Sequence, residues 1–247
     1  MPSFSMPDAI VLCGGAGTRL RSVTGNAPKS LASVAGRPFL ELLLRQLRRY
    51  GFRRAVLAVG YQKEMISSSL GGAAFGLQLA YAEEESPLGT GGAMRNAADF
   101  VQTDSVLVTN GDSYTDVDLS RFVEEFQKTK ADFSVVVVPA DGRGDIGSVL
   151  VDSDGKLARF AEKEAGIGAQ YFINAGIYMV SRQLLQEIPA GVAISLEKQL
   201  FPGWLETGKA MRAFHHAGSC VDIGTPERYE MAQRMLASAE AEPGPPR

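Results

Sequence analysis

The chain has 247 residues, 45% hydrophobic and 21% charged, with a net charge of −3, enough for one large α/β domain or two small ones and for an ample buried core. That charge provides no general basic field for nucleic acid, so a phosphate ligand must be held by local cations. Two cysteines without a C-x-x-C pair, Cys13 and Cys220, argue against a disulfide framework or a zinc site; no apolar run approaches the ~20 residues of a membrane span and no signal peptide is evident, so a reducing cytoplasmic setting is expected.

After a loose lead-in, the apolar run Ala9 to Leu12 reads as a short buried strand leading into Gly14, Gly15 and Gly17. Glycines permit close approach of a ligand, and successive N–H groups in such a loop form a concavity suited to phosphate oxygens. Arg19 and Lys29 add positive charge, so the stretch reads as a polyphosphate cradle at the carboxyl end of the first strand. It is not a Walker A loop, which needs Gly-Lys-Ser/Thr. Nor is it a dinucleotide fingerprint, because Leu20 stands where the third glycine belongs.

Apolar spacing predicts a helix over Pro38 to Tyr50, stopped by Gly51, then a strand over Ala55 to Val59, a helix over Lys63 to Leu70 and a strand over Leu77 to Ala82. This alternation predicts an α/β fold, a mostly parallel sheet with helices on both faces. A strand over Ser105 to Thr109 ends in Asn110-Gly111-Asp112. An aspartate there, beside a phosphate cradle, suits Mg²⁺, which takes one or two carboxylates plus phosphate oxygens. A helix over Leu119 to Thr129, a β-branched strand over Phe133 to Val138 and a hairpin from Ile146 to Phe160 turned at Asp152 to Gly155 follow. Next come short helices over Gln183 to Ile188 and Ser195 to Leu205, with Ser195 as a cap, and a strand over Met211 to Phe214. His215 and His216 have no companions at ligand spacing and are assigned no site. Thr225-Pro226-Glu227 reads as the start of a last helix running to about Ala237, and residues 238–247 as a disordered tail on a single domain of residues 1–237. Oligomeric state stays open, with an exposed apolar patch near Trp204 as a candidate interface for a homo-oligomer.

Gly14-Gly15-Ala16-Gly17-Thr18-Arg19-Leu20 through Pro28-Lys29 resembles the signature of the sugar-1-phosphate nucleotidyltransferases, which join a nucleoside monophosphate from an NTP to a sugar 1-phosphate and release pyrophosphate. The resemblance spans roughly Asp8 to Leu236 and implies a Rossmann-like fold. It implies catalytic roles for Arg19, Lys29, Asp112 and Asp222, with the two aspartates binding Mg²⁺; Asp222 lies in Asp222-Ile223-Gly224-Thr225-Pro226. Nucleotide contacts are implied for Leu12, Gly14, Gly15, Gly17, Thr18, Gly111 and the segment Glu83 to Gly92, in which Glu84, Glu85, Pro87, Gly89 and Thr90 are the candidates. Glu162, Lys163, Gly147, Asn174 and Gly176 look like the sugar-phosphate region: Lys163 on the phosphate, Glu162 and Asn174 on hydroxyls, and Gly176 permitting close approach of the ring.

A carboxylate in the base segment has a chemical use. Guanine presents N1–H and N2–H₂ as neighbouring donors, and an ionised glutamate is a two-oxygen acceptor that meets both, whereas it would repel the carbonyls of uracil or thymine. GTP is therefore the expected nucleotide, and either Glu84 or Glu85 the reader. The glycine loop and the Pro87 to Gly92 segment look closest to guanylyltransferases of mannose-type and manno-heptose 1-phosphates, enzymes of surface-polysaccharide synthesis. Arg21-Ser22-Val23 and Ser30-Leu31-Ala32 depart from the usual pattern, which carries a proline in each place. The alternatives are uridylyl-, thymidylyl- or cytidylyltransfer to another hexose 1-phosphate, or a non-catalytic nucleotide-sugar-binding subunit. No hexapeptide repeats follow, so an added acyltransferase activity is not expected.

Overall fold

The computed structural model describes residues 5–140, 147–161 and 171–239. Strand β1 (Asp8–Leu12) lies at the centre of a mixed sheet. On one side it pairs in parallel with β2 (Arg54–Val59), which pairs in parallel with β3 (Leu77–Glu83). On its other side it pairs in parallel with β4 (Ser105–Asn110), in register Leu12↔Asn110. Between these strands run α1 (Phe39–Arg49), α2 (Lys63–Leu70) and α3 (Gly89–Ala98). Strand order therefore reverses at β1, and the carboxyl ends of β1 and β4 flank the crevice where open α/β sheets bind ligands.

Beyond β4 come β5 (Ser113–Thr115), α4 (Leu119–Thr129), β6 (Phe133–Pro139), and the hairpin β7 (Ser148–Val151) and β8 (Leu157–Ala161). The long strand β9 (Tyr171–Ser181) runs antiparallel to β4, β6 and β7, with a bulge against β6 between Asn174 and Tyr178. Then follow α5 (Arg182–Glu187), the turn Leu196–Leu200, α6 (Phe201–Glu206), β10 (Met211–His215) parallel to β6, β11 (Cys220–Asp222) and α7 (Pro226–Ala239). Helix α7 extends two residues past the expected end, and residues 240–247 of the expected tail lie outside the described residues.

Both faces of the sheet are covered, so β1 is apolar on both sides. Ala9 and Val11 face the cluster built by Leu40, Leu43 and Leu47 of α1 and Phe122 of α4, while Ile10 faces Met94, Ala97, Phe201 and Trp204. Helix α4 starts where Asp118 accepts the Arg121 N–H at 3.0 Å, and Ser195 caps its turn by accepting the Lys198 N–H at 3.2 Å. Trp204 corrects an expectation. It is only 6% exposed, its ring 5.6 Å from that of Phe133, so it is core and offers no apolar patch. Both cysteines are buried thiols, and among the described residues no helix is long and apolar enough to cross a membrane.

Candidate active site

A cleft of about 630 Å³ opens at the strand-order reversal. Its floor is Leu12, Cys13, Asn110 and Gly111, where the ends of β1 and β4 meet. The Gly111 N–H donates to the Leu12 carbonyl at 3.0 Å, and a Cβ on Gly111 would stand 2.6 Å from that same oxygen. Glycine is thus required there by the neighbouring strand. The thiol of Cys13 is buried and pushed up to about 12, by desolvation and then by the nearby Asp112 carboxylate, so it stays protonated and chemically inert.

One wall is the glycine loop with Gly14, Gly15, Ala16 and Lys29. Gly17 turns the loop in the left-handed region at φ 57°, and a Cβ on it would meet Lys29 Cβ at 2.9 Å. That close packing holds the base of the Lys29 side chain, whose ammonium ion-pairs with Asp112. Thr18 and Arg19 form an exposed turn beside the cleft. Arg19 reaches toward the Asp222 segment, its Nη2 lying 3.8 Å from the Cβ position on Gly224.

The opposite wall carries Glu84, Glu85, Pro87, Gly89 and Thr90. The three consecutive acids differ. Glu83 is exposed and pairs with Lys63 at 2.6 Å. Glu85 is exposed and also lines the cleft. Glu84 is half-buried, its Oε2 3.2 Å from the Cβ position on Gly14 and accepting the Leu88 N–H at 3.4 Å. Desolvation raises its titration above the ordinary carboxylate range, and the Leu88 hydrogen bond partly offsets this.

Asp112 and Asp222 come together through the short ribbon of β5 and β11. Asp222 stands opposite Ser113, and the Ile223 N–H donates to the Asp112 carbonyl at 3.0 Å. Asp112 Oδ2 takes Lys29 and Oδ1 takes the Ser113 hydroxyl at 3.1 Å. Asp222 accepts the Gly224 N–H at 2.8 Å, and Arg228 Nη1 bonds both of its oxygens at 3.2 and 3.0 Å. A carboxylate offers about four acceptor positions, so both retain room for a hard cation. Among the described residues no group of three or more His, Cys, Asp or Glu side chains forms a metal cage. Two carboxylates without a cage suit Mg²⁺, which draws its other ligands from phosphate and water.

The expected sugar side adjoins the cleft through Asn110. The Asn174 N–H donates to the Gly147 carbonyl at 3.0 Å, and the Asn174 side chain accepts the Gly176 N–H and donates to the Tyr178 hydroxyl, both at 2.9 Å. Gly176 has φ 72°, and a Cβ there would stand 2.6 Å from Asn110 Nδ2. The Cβ direction at Gly176 is thus occupied by the Asn110 side chain. Glu162 and Lys163 lie outside the described residues. Residues given no site role by the sequence also enter: Ser30, Gly60, Tyr61 and Asn110 line the cleft, and Arg228 clamps Asp222. Asn110 was legible as the partner of Gly111-Asp112 at the strand end; Arg228 gave no signal beyond its place in the first turn of α7.

Comparison with known proteins agrees with this geometry. The nucleotidyl transferase family profile matches residues 8–239. The chain is 35% identical over 224 residues to the mannose-1-phosphate guanylyltransferase of Mycobacterium tuberculosis, covering 90% of this chain and 62% of that protein. It is 32% identical over 230 residues to the D-glycero-alpha-D-manno-heptose 1-phosphate guanylyltransferase of Aneurinibacillus thermoaerophilus, covering 93% of this chain and 98% of that protein. The crystal structure of HddC from Yersinia pseudotuberculosis complexed with GMP-PN superposes with a TM-score of 0.80 at 30% identity, over 94% of this chain and 100% of that one. The profile match runs from the head of β1 to the end of α7 and takes in every element of the described fold, and the chain belongs to the nucleotidyl transferase family.

Proposed function

We propose that this chain is a single-domain, cytoplasmic guanylyltransferase that joins GMP from GTP to a mannose-type or manno-heptose 1-phosphate and releases pyrophosphate. The observation that carries this reading is one cleft with a carboxylate, Glu84, on one wall and the Lys29–Asp112 pair on the other. A guanine placed against Glu84 meets an acceptor for its N1–H and N2–H₂, while its phosphates run along the glycine loop toward Lys29. The names of the two relatives and the GMP-PN complex of HddC support the same choice of base and sugar class.

The reaction needs little covalent help from the protein. The sugar phosphate oxygen attacks the α-phosphorus in line with the pyrophosphate leaving group, and the work is positioning and charge neutralisation. No general base is required, since a sugar phosphate is already anionic. Lys29 moves from Asp112 onto the α-phosphate and its bridging oxygen. Arg19 and the loop amides hold the departing pyrophosphate. Lys163 holds the nucleophile's phosphate, and Asn174 and Glu162 its hydroxyls. Asp112 and Asp222 would hold Mg²⁺, which would supply Lewis-acid neutralisation of phosphate charge. Arg228 keeps the Asp222 carboxylate in one orientation.

Pyrophosphate release with Mg²⁺, measured across GTP, UTP, dTTP, CTP and ATP against mannose 1-phosphate and manno-heptose 1-phosphate, tests the reading. Turnover confined to GTP is the expected result. Turnover with UTP or dTTP instead would overturn the guanine assignment and keep the transferase. Silence with every pair would overturn the transferase.

A further inference from the structure

Thr90 lines the nucleotide wall of the cleft, yet its hydroxyl is committed to a segment over a hundred residues later. It donates to Glu197 Oε2 at 3.1 Å and accepts the Leu196 N–H at 2.9 Å. The same Glu197 oxygen accepts the Ser195 hydroxyl at 3.3 Å, and Ser195 caps its own turn. Backbone bonds join the same two segments: the Ile194 N–H to the Leu88 carbonyl at 2.8 Å, and the Gly91 and Gly92 N–H groups to the Ile194 carbonyl at 2.9 and 3.3 Å.

The glycines of this wall face the chain rather than a ligand. A Cβ on Gly92 would stand 2.5 Å from the Val192 carbonyl oxygen, and one on Gly91 2.5 Å from Leu200 Cδ1. Gly-Thr-Gly-Gly is a poor opening for a helix, and α3 starts without a side-chain cap. The first turn of α3 therefore keeps its shape through tertiary support, and the one side-chain anchor among its first four residues is Thr90.

We infer that Glu197 is a positioning residue for the nucleoside end of the cleft, acting through Thr90 to fix the Leu88–Gly92 wall against which base and ribose rest. The inference builds on the reading of this cleft as a nucleotide site. Glu197 itself is not among the residues that line the cleft.

The test uses the full chain with Thr90→Val, Glu197→Ala, Glu197→Gln and the double variant Thr90→Val/Glu197→Ala. KM for GTP and KM for the sugar 1-phosphate are measured separately. Thr90→Val and Glu197→Ala are each expected to raise KM for GTP about tenfold, while kcat and KM for the sugar phosphate move by less than about threefold. Glu197→Gln, whose amide oxygen still accepts the Thr90 hydroxyl, restores most of the loss. The double variant is expected to lose less than the product of the two single losses, because both changes break the shared Thr90–Glu197 bond. Equal losses in both KM values and kcat, or a Glu197→Gln variant as weak as Glu197→Ala, would overturn the inference. If Glu197→Ala does not fold, Glu197→Asp, which withdraws the carboxylate by one methylene, carries the same expectation. Wild type run alongside separates the two levels: if it turns over no NTP the transferase reading fails, and the inference is then read in calorimetric GTP affinity, where unchanged or absent binding overturns it.

Discussion

The ammonium of Lys29 rests on the carboxylate of Asp112, so the cleft holds its own counter-ion for each of the charges that phosphate will later claim. Removing the lysine removes both the proposed phosphate ligand and the partner of Asp112. Lys29→Ala is expected to lower kcat/KM by roughly 10²–10³, with thermal stability nearly unchanged because the pair is part-exposed. Pyrophosphate release and a thermal melt on the same preparation check both halves.

Glu84 gives a pH signature. Burial raises its titration in the folded chain, and the proposed guanine contact needs the ionised form. GTP affinity is therefore full above that raised value and falls as pH is lowered through it. Glu84→Gln should lose about 10–100-fold in kcat/KM for GTP and should flatten this limb of the pH profile. The stability linkage has the opposite benefit. The folded state binds this proton more tightly than the unfolded state, so the group's stabilising contribution is present at low pH and lost as pH rises through the folded value. At neutral pH Glu84→Gln should thus melt higher than wild type.

Two glycines of the cleft should respond in opposite ways. A Cβ on Gly15 meets nothing within 4 Å, whereas one on Gly111 would collide with the Leu12 carbonyl. Gly15→Ala is expected to melt within about 1 °C of wild type while raising KM for GTP about tenfold, since its methyl occupies the face offered to phosphate. Gly111→Ala should cost more than about 2 kcal/mol and lower the yield of folded protein, as seen by circular dichroism.

Arg228 and Asp222 are both largely buried, with side chains 14% and 16% exposed. Arg228→Leu leaves a carboxylate short of its main partner. The expected cost is about 2 kcal/mol in stability, read by urea unfolding. The Mg²⁺ dependence of turnover should change as well, because Asp222 is no longer held in one orientation.

Much of this was legible along the chain because the signals are local. Lys63–Leu70 and Leu119–Thr129 match their expected bounds, the second because Leu119, Phe122, Val123 and Phe126 repeat at helical spacing behind an Asp118 cap. The glycine loop and Gly111-Asp112 announced themselves because they stand at strand ends. Relationships across long separations were not legible. Nothing near Trp204 says that Phe133 will cover it. Nothing near Gly176 says that Asn110 will fill its open side, and nothing near Thr90 names Glu197. Of three adjacent acids, Glu83 is drawn off by the Lys63 ion pair and Glu84, just past the end of β3, is the one set against Gly14.

The ribbon of β5 and β11 sets an order on the birth of the active protein. Asp112 is laid down early, just past the end of the strand that flanks β1, but its companion Asp222 arrives only with the last of the strands, and closing that loop carries an entropic cost that nothing local repays. A chain emerging from the ribosome can assemble its parallel sheet and much of its core well before the two carboxylates meet. On the proposed role of the two aspartates, catalytic competence is therefore a late event in biosynthesis, reached only when the second carboxylate joins the first.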